Sequence, residues 1–246
     1  MPGSVEPPLK VAVVTPYFEE SEAWMRQCHA SVAAQTHPCL HVMVADGRPA
    51  AFVDDWAAEH VRLPVPHGDF GATPRLVGAY HAIGLGYDAI AFLDADNWYE
   101  VSHIERLLRL KADTGAAFVS SGRLLRRLDG SVLGPCRATD PESFVDTNCM
   151  MFMREAFGLL AHWALMPAYA QVIGDRVMLH HVKTSGVRRA HLDASTVNYR
   201  CGKSGIYRQL NEPIPEGVRP PPDYGAAFER WAADGNPPLL PEAESR

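Results

Sequence analysis

Short apolar runs alternate with amphipathic segments through the first half of this chain, and their spacing predicts strands and helices in turn. Lys10 to Thr15 (KVAVVT) reads as a strand. Ser21 is placed to cap a helix running to about Ala34, with Glu20 and Glu22 matched to its positive N-terminal end. Leu40 to Ala45 (LHVMVA) is the second strand. Thr73-Pro74 reads as an N-cap with proline at the first helical position, opening a helix that Gly84 or Gly86 ends. Ala89 to Leu93 forms the next strand. Ser102-x-x-Glu105 has the pattern of a capping box for a helix stopped at Gly115, before a strand AAFVSS. This βαβαβ order predicts a mostly parallel sheet.

After Ser121 the pattern changes. GRLLRRLDGSVLG predicts a hairpin around Asp129-Gly130, and Thr147 to Met153 a further strand. Helices are expected over Glu155 to Leu165 and Asp175 to Lys183. From Pro213, with the triplet Pro220 to Pro222 and the final PPLLPEAESR, the chain reads as an extended wrap that frays at its end. No internal repeat is evident.

The strand Ala89 to Leu93 leads into Asp94-Ala95-Asp96. In open α/β sheets the crevice outside a strand end is where ligands bind, and two carboxylates there can hold a hard cation while water and a diphosphate fill its other positions. An acidic turn or helix cap is the competing reading.

The 246 residues suffice for one large α/β domain, or a sheet domain with a smaller annex. A formal net charge of −6 argues against a nucleic-acid surface. Basic residues cluster only at Arg123, Arg126 and Arg127, either a solvated hairpin face or a contact for an anionic lipid or acceptor. Five cysteines without a C-x-x-C pair fit a reducing, cytoplasmic setting. MPGSVEPPLK has no secretory pattern. The uncharged stretch Ala156 to Gly174 is too interrupted for a transmembrane segment and reads as buried helix plus loop, with a lid or a peripheral membrane contact as the alternative.

Taken together, VAVVTPYFEESEAWMRQCHASVAAQTHP, the following VMVADG, LDADN, TNCMMFMR, VIGDRVMLHHV and STVNYR resemble family 2 glycosyltransferases of the GT-A fold. The resemblance covers roughly residues 10 to 210 and is nearest to the spore-coat polysaccharide nucleotide-sugar transferase type. It implies a single GT-A domain, with a Rossmann-like, mostly parallel central sheet and a smaller acceptor-side annex. Residues 9–121 would be the nucleotide-sugar-binding half, 122–212 the acceptor-side half and 213–246 the extended tail.

The resemblance also implies roles. Thr15 and Tyr17 flank the nucleobase, Tyr17 by stacking; Asp46 accepts from a uracil-type N–H; Arg75 contacts base or diphosphate. Asp96 is the direct ligand of Mn²⁺ or Mg²⁺, with Asp94 helping through the ribose or a metal-bound water. Asp175, in Ile173-Gly174-Asp175, matches the catalytic base. Read as residues alone, Tyr17 and Asp46 are equally at home in turns, Arg75 on an exposed helix turn, and Asp175 as a helix N-cap.

The expected activity is inverting, metal-assisted transfer from a nucleotide diphosphate sugar, with a UDP-sugar as donor, to an acceptor hydroxyl on a glycan, lipid-linked sugar or small molecule; retention is left open. Asp146, Thr147 and Asn148 are candidates for donor-sugar choice. Two departures stand out: Ala45 replaces the first of two family aspartates, and the Q-x-x-R-W motif of processive members is absent, which favours single transfer. His191 is the histidine to test as an added metal ligand. The rival readings are a nucleotidyltransferase, disfavoured by the acidic TPYFEESE where a basic phosphate cradle belongs, and a non-catalytic nucleotide-sugar-binding module. A dehydrogenase is disfavoured because Gly84-x-Gly86 lacks the rest of the dinucleotide fingerprint.

Overall fold

The computed structural model describes residues 7–138 and 140–239. Within them one sheet of nine strands organises the chain, with spatial order β3-β2-β1-β4-β8-β6-β9-β5 and β7 paired to β6. The strands are β1 (Val11–Tyr17), β2 (Cys39–Ala45), β3 (Glu59–Arg62), β4 (Ala89–Phe92), β5 (Trp98–Tyr99), β6 (Phe118–Arg126), β7 (Val132–Pro135), β8 (Met150–Met153) and β9 (Arg189–Arg200). The helices are α1 (Glu22–Ala33), α2 (Ala72–Gly84), α3 (His103–Thr114), α4 (His162–Leu165), α5 (Gly174–Thr184), α6 (Ser204–Leu210) and α7 (Tyr224–Ala233).

The first half of the chain follows the expected pattern. Strand β1 lies parallel between β2 and β4, with Val11 opposite both Cys39 and Ala89, and its apolar run is fully buried. The helix α2 lies close over this layer because Gly78 has no side chain: a Cβ there would stand 2.5 Å from Val14 and 2.7 Å from Val44. Beyond β4 the sheet is mixed, with β8 antiparallel to both β4 and β6, while β6 and β9 run parallel. The expected parallel character therefore holds over β3-β2-β1-β4 and gives way beyond β4.

Local expectations met mixed outcomes. Ser21 caps α1 through Trp24 N–H, and Asp129-Gly130 forms the turn between β6 and β7. Thr73 is not the N-cap of α2; Gly71 is, in a left-handed conformation, and the Asp69 carboxylate accepts from Thr73 N–H at 2.8 Å. The capping box does not form, because Glu105 accepts from the Thr36 hydroxyl and Gln35 takes Ile104 N–H instead. Thr147–Cys149 is a 3₁₀ turn ahead of β8, and the helix expected from Glu155 is 3₁₀ over Arg154–Ala161 before α4. The tail contains α7 and is not simply extended; the fraying expected at its end falls on residues outside those described, and all of the leading MPGSVE lies outside them too.

All five cysteines are free thiols. No helix among the described residues is long and apolar enough to cross a membrane. The three clustered arginines are neither a bare solvated face nor an open anion site: Arg123 pairs with Asp146, Arg126 donates to Asn198 and Arg127 pairs with Glu212.

Candidate functional site

Strand β4 ends at Phe92, and the following turn holds the two aspartates in different states. Asp94 is clamped. Its Oδ1 accepts from Arg75 Nη2, its Oδ2 accepts from Asn148 Nδ2 at 3.0 Å, and its own N–H donates to Asn148 Oδ1 at 2.5 Å. Asp96 receives no hydrogen bond from any other described residue. Burial pushes its carboxyl up to about 7, and the neighbouring charges of Asp94 and Glu20 push the same way against Arg200.

A buried carboxylate under the like charges of Asp94 and Glu20, opposed by Arg200, is a group that a bound cation would stabilise. The donor chemistry fits a hard divalent ion held by one or two protein oxygens, with substrate and water completing its shell. Asp96 is the carboxylate with capacity to spare, whereas both Asp94 oxygens already have partners. No group of three or more His, Cys, Asp or Glu side chains disposed to hold a metal occurs among the described residues. His191 bonds to the Ser120 hydroxyl at 2.9 Å through Nδ1 and belongs to no such group.

Arg75 is not an exposed first-turn residue. Its guanidinium is buried, donates to the Phe70 carbonyl at 2.7 Å as well as to Asp94, and lies 5.4 Å from the centre of the Trp163 ring. The Phe70 backbone sits at φ 56°, a costly setting for an aromatic residue, and its side chain is 58 % exposed beside the site. Gly71 must be small as well as left-handed, since a Cβ would come within 2.9 Å of Arg75 Nη1.

The residues expected around the nucleobase lie together but are largely engaged. Thr15 is 0 % exposed, with its hydroxyl 2.9 Å from His41 Nε2, so its side chain backs the pocket and offers a ligand no surface. Tyr17 is 3 % exposed; its hydroxyl contacts His60 Nε2 at 2.7 Å and accepts from Ala50 N–H. Burial raises its pKa. Asp46 accepts from His67 twice, through the backbone N–H and through Nδ1 at 2.6 Å. His67 and His60 escaped the sequence reading because nothing in their spacing ties them to Asp46 or Tyr17.

Ahead of β8, Asp146 links three groups. It pairs with Arg123, accepts from Asn148 Nδ2 at 2.6 Å, and raises the pKa of Asp175 by its charge. Burial is the larger cause at Asp175, and the two together bring its carboxyl to about 6 despite Arg176 and Arg123. Asp175 lies within α5 and is not its N-cap, which is Ile173; its Oδ1 accepts from Arg176 N–H. Gly174 lets this turn approach Trp163, where a Cβ would stand 3.2 Å from the indole. The same indole lies against Arg75, so one ring braces both Arg75 and the turn that presents Asp175.

A cavity of about 70 Å³ opens beside Asp146, bordered by Arg123, His191, Asp193 and Ser195 at the irregular register between β6 and β9. Arg200, which the sequence did not single out, is buried near Asp96 between the rings of Trp24 and Trp98, and its Nε has no partner.

The family model for glycosyl transferase family 2 matches residues 12–180, more than half of the chain. Succinoglycan biosynthesis protein ExoW of Rhizobium meliloti (strain 1021) is 31% identical over 125 residues, covering 46% of this chain and 39% of that protein. In solved structures, TarS 1-349 of S. aureus in complex with UDP superposes with a TM-score of 0.61 at 12% identity, over 82% of this chain and 63% of that one. The same fragment with UDP-GlcNAc gives 0.60 at 13% identity, over 96% and 69%. At such identity the likeness is one of fold. The chain thus spans well under half of its curated relative's length.

Proposed function

The chain belongs to glycosyl transferase family 2, and from that premise we propose that it moves a sugar from a UDP-sugar to an acceptor hydroxyl, with inversion and with Mn²⁺ or Mg²⁺ bound. The observation that carries this reading is the contrast at the end of β4: Asp94 fixed by Arg75 and Asn148, and Asp96 left with a carboxyl that burial and like charge hold near 7. Asp96 is the direct metal ligand, and Asp94 contributes through the ribose or a metal-bound water. When bound, the ion offsets the charge that develops on the departing diphosphate.

The protein's own groups do the rest. Asp46 receives the uracil N–H in place of the His67 donors it holds in the free protein, and Tyr17, buried behind it, positions Asp46 by accepting its backbone N–H at 2.8 Å. Arg75 and Asn148 keep the Asp94 end of the strand in register with Asp146. Asp175, with its carboxyl near 6, is matched to general-base work close to neutral pH. It takes the acceptor hydroxyl proton as that oxygen bonds to the anomeric carbon; the bond from that carbon to the diphosphate oxygen breaks, and UDP leaves with the electron pair. Nucleotide complexes of TarS support the donor class by analogy of fold.

The reading is tested by following UDP release from a panel of UDP-sugars, with Mn²⁺ and with chelator, for the wild type and Asp175→Asn. Metal-dependent release that falls by about a hundredfold or more in Asp175→Asn while UDP still binds is the expected result. Release indifferent to both chelator and substitution contradicts it.

A further inference from the structure

The tail that reads as an extended wrap instead carries a helix back onto the site. After Pro220 to Pro222, Asp223 caps α7 by accepting from Ala226 N–H at 3.0 Å. The helix packs on the 3₁₀ turn Ala168–Ile173, where the Tyr169 hydroxyl donates to Asp234 at 2.6 Å, and it reaches α5 through side chains: the Arg176 guanidinium is 5.7 Å from the centre of the Phe228 ring, and the rings of His180 and Trp231 are 6.0 Å apart. A four-residue step on α5 thus meets a three-residue step on α7, one helical turn on each. One turn before Phe228, on the same face, is Tyr224. This register puts Tyr224 just beyond the N-terminal end of α5, one turn before Arg176, the residue that follows Asp175.

The electrostatics agree with that placement. Burial raises the pKa of the Tyr224 phenol, followed by the charge of Asp175, with smaller effects from Arg123 and Asp146. Yet the residue remains 40 % exposed, among the few large apolar side chains left open to solvent.

The neighbourhood has a definite chemical character. It combines an open aromatic face with two carboxylates, Asp146 and Asp175. The nearby guanidinium groups are committed: Arg123 to Asp146 and the Tyr199 ring, and Arg176 to the Ser143 carbonyl and the Phe144 ring. Carboxylates accept from hydroxyls and repel anions, and an aromatic face packs against C–H groups. A neutral pyranose, with an apolar face and a rim of hydroxyls, satisfies both.

We propose that Tyr224, returned to the start of α5 by the C-terminal helix, forms a wall of the acceptor subsite beside Asp175 and packs against the C–H face of a neutral pyranose. This rests on the glycosyltransferase reading above and assigns the acceptor a chemical class. It also gives the tail a role in substrate binding that the matched family segment, ending at residue 180, does not contain.

The test uses the full chain with methyl pyranosides of glucose, galactose, mannose, N-acetylglucosamine and rhamnose as probes. Binding is followed by saturation-transfer NMR in the presence of UDP and Mn²⁺, for the wild type, Tyr224→Ala and Tyr224→Phe. At least one pyranoside is expected to bind through its C–H face, about fivefold or more weakly to Tyr224→Ala, and within about twofold of wild type to Tyr224→Phe, which keeps the ring. Binding by none of the five, or equally tight binding to Tyr224→Ala, overturns the inference. UDP affinity on the same samples separates the two claims: pyranoside binding that depends on Tyr224 but without UDP binding sustains the subsite and removes the donor assignment.

Discussion

Asn148 and Asp94, far apart in sequence, are joined twice: the Asn148 amide oxygen accepts the Asp94 backbone N–H at 2.5 Å, and its amide nitrogen donates to the Asp94 carboxylate at 3.0 Å. The second amide hydrogen goes to Asp146 at 2.6 Å, so one buried side chain connects the end of β4 to the acceptor-side carboxylate. Replacing it leaves a buried N–H and two carboxylates short of donors. Asn148→Ala is expected to lose about 1–3 kcal/mol of stability in urea denaturation, and to weaken UDP binding in the presence of Mn²⁺. Unchanged unfolding and nucleotide binding would show that the link is dispensable.

Asp175 gives a pH-dependent prediction. Its carboxyl, held at about 6 in the folded protein against an ordinary value of 3.8, binds its proton more readily folded than unfolded. The stability from that proton is complete below about 3.8 and is lost as pH rises through about 6, so the ionised group weighs against folding at neutral pH. Asp175→Asn should therefore melt higher than wild type at pH 7, by roughly 2–4 °C for each kcal/mol relieved. The gap should close on acidification below the unfolded pKa. Scanning calorimetry across that range checks it, and a variant melting lower at pH 7 would contradict the burial of this charge.

Gly78 makes a stability prediction independent of chemistry. A methyl group there meets Val14 at 2.5 Å and Val44 at 2.7 Å, both themselves fully buried in the sheet, so neither can yield without disturbing its packing. Gly78→Ala should cost about 1–3 kcal/mol despite alanine's better helix propensity. A stabilised variant would mean that α2 lifts easily from the sheet.

These cases show which features the sequence revealed and which it hid. Strands β1, β2 and β4, the helix α1 with its serine cap and the turn at Asp129-Gly130 were legible because each is set by neighbours in sequence: an apolar run, a cap, a glycine. Capping failed where a distant side chain competed, as Thr36 did for Glu105 and Gln35 for Ile104 N–H. The helix α7 was masked by the prolines before it, although Ala227 and Trp231, four apart and both buried, carried the helical signal. At the site the acidic pair was visible, but its division of labour was not. That Asp94 is held by Arg75 and Asn148 while Asp96 is left free depends on contacts between residues far apart in the chain. The engagement of Asp46 by His67 and of Tyr17 by His60 was hidden for the same reason.

The proposed binding of a cation at Asp96 is tested most directly by isothermal titration of UDP into the protein with Mn²⁺, for the wild type and Asp96→Ala. The account predicts Mn²⁺-dependent UDP binding in the wild type that weakens by about tenfold or more in the variant, while circular dichroism shows the fold retained. UDP and Mn²⁺ binding to Asp96→Ala as tightly as to the wild type would contradict it.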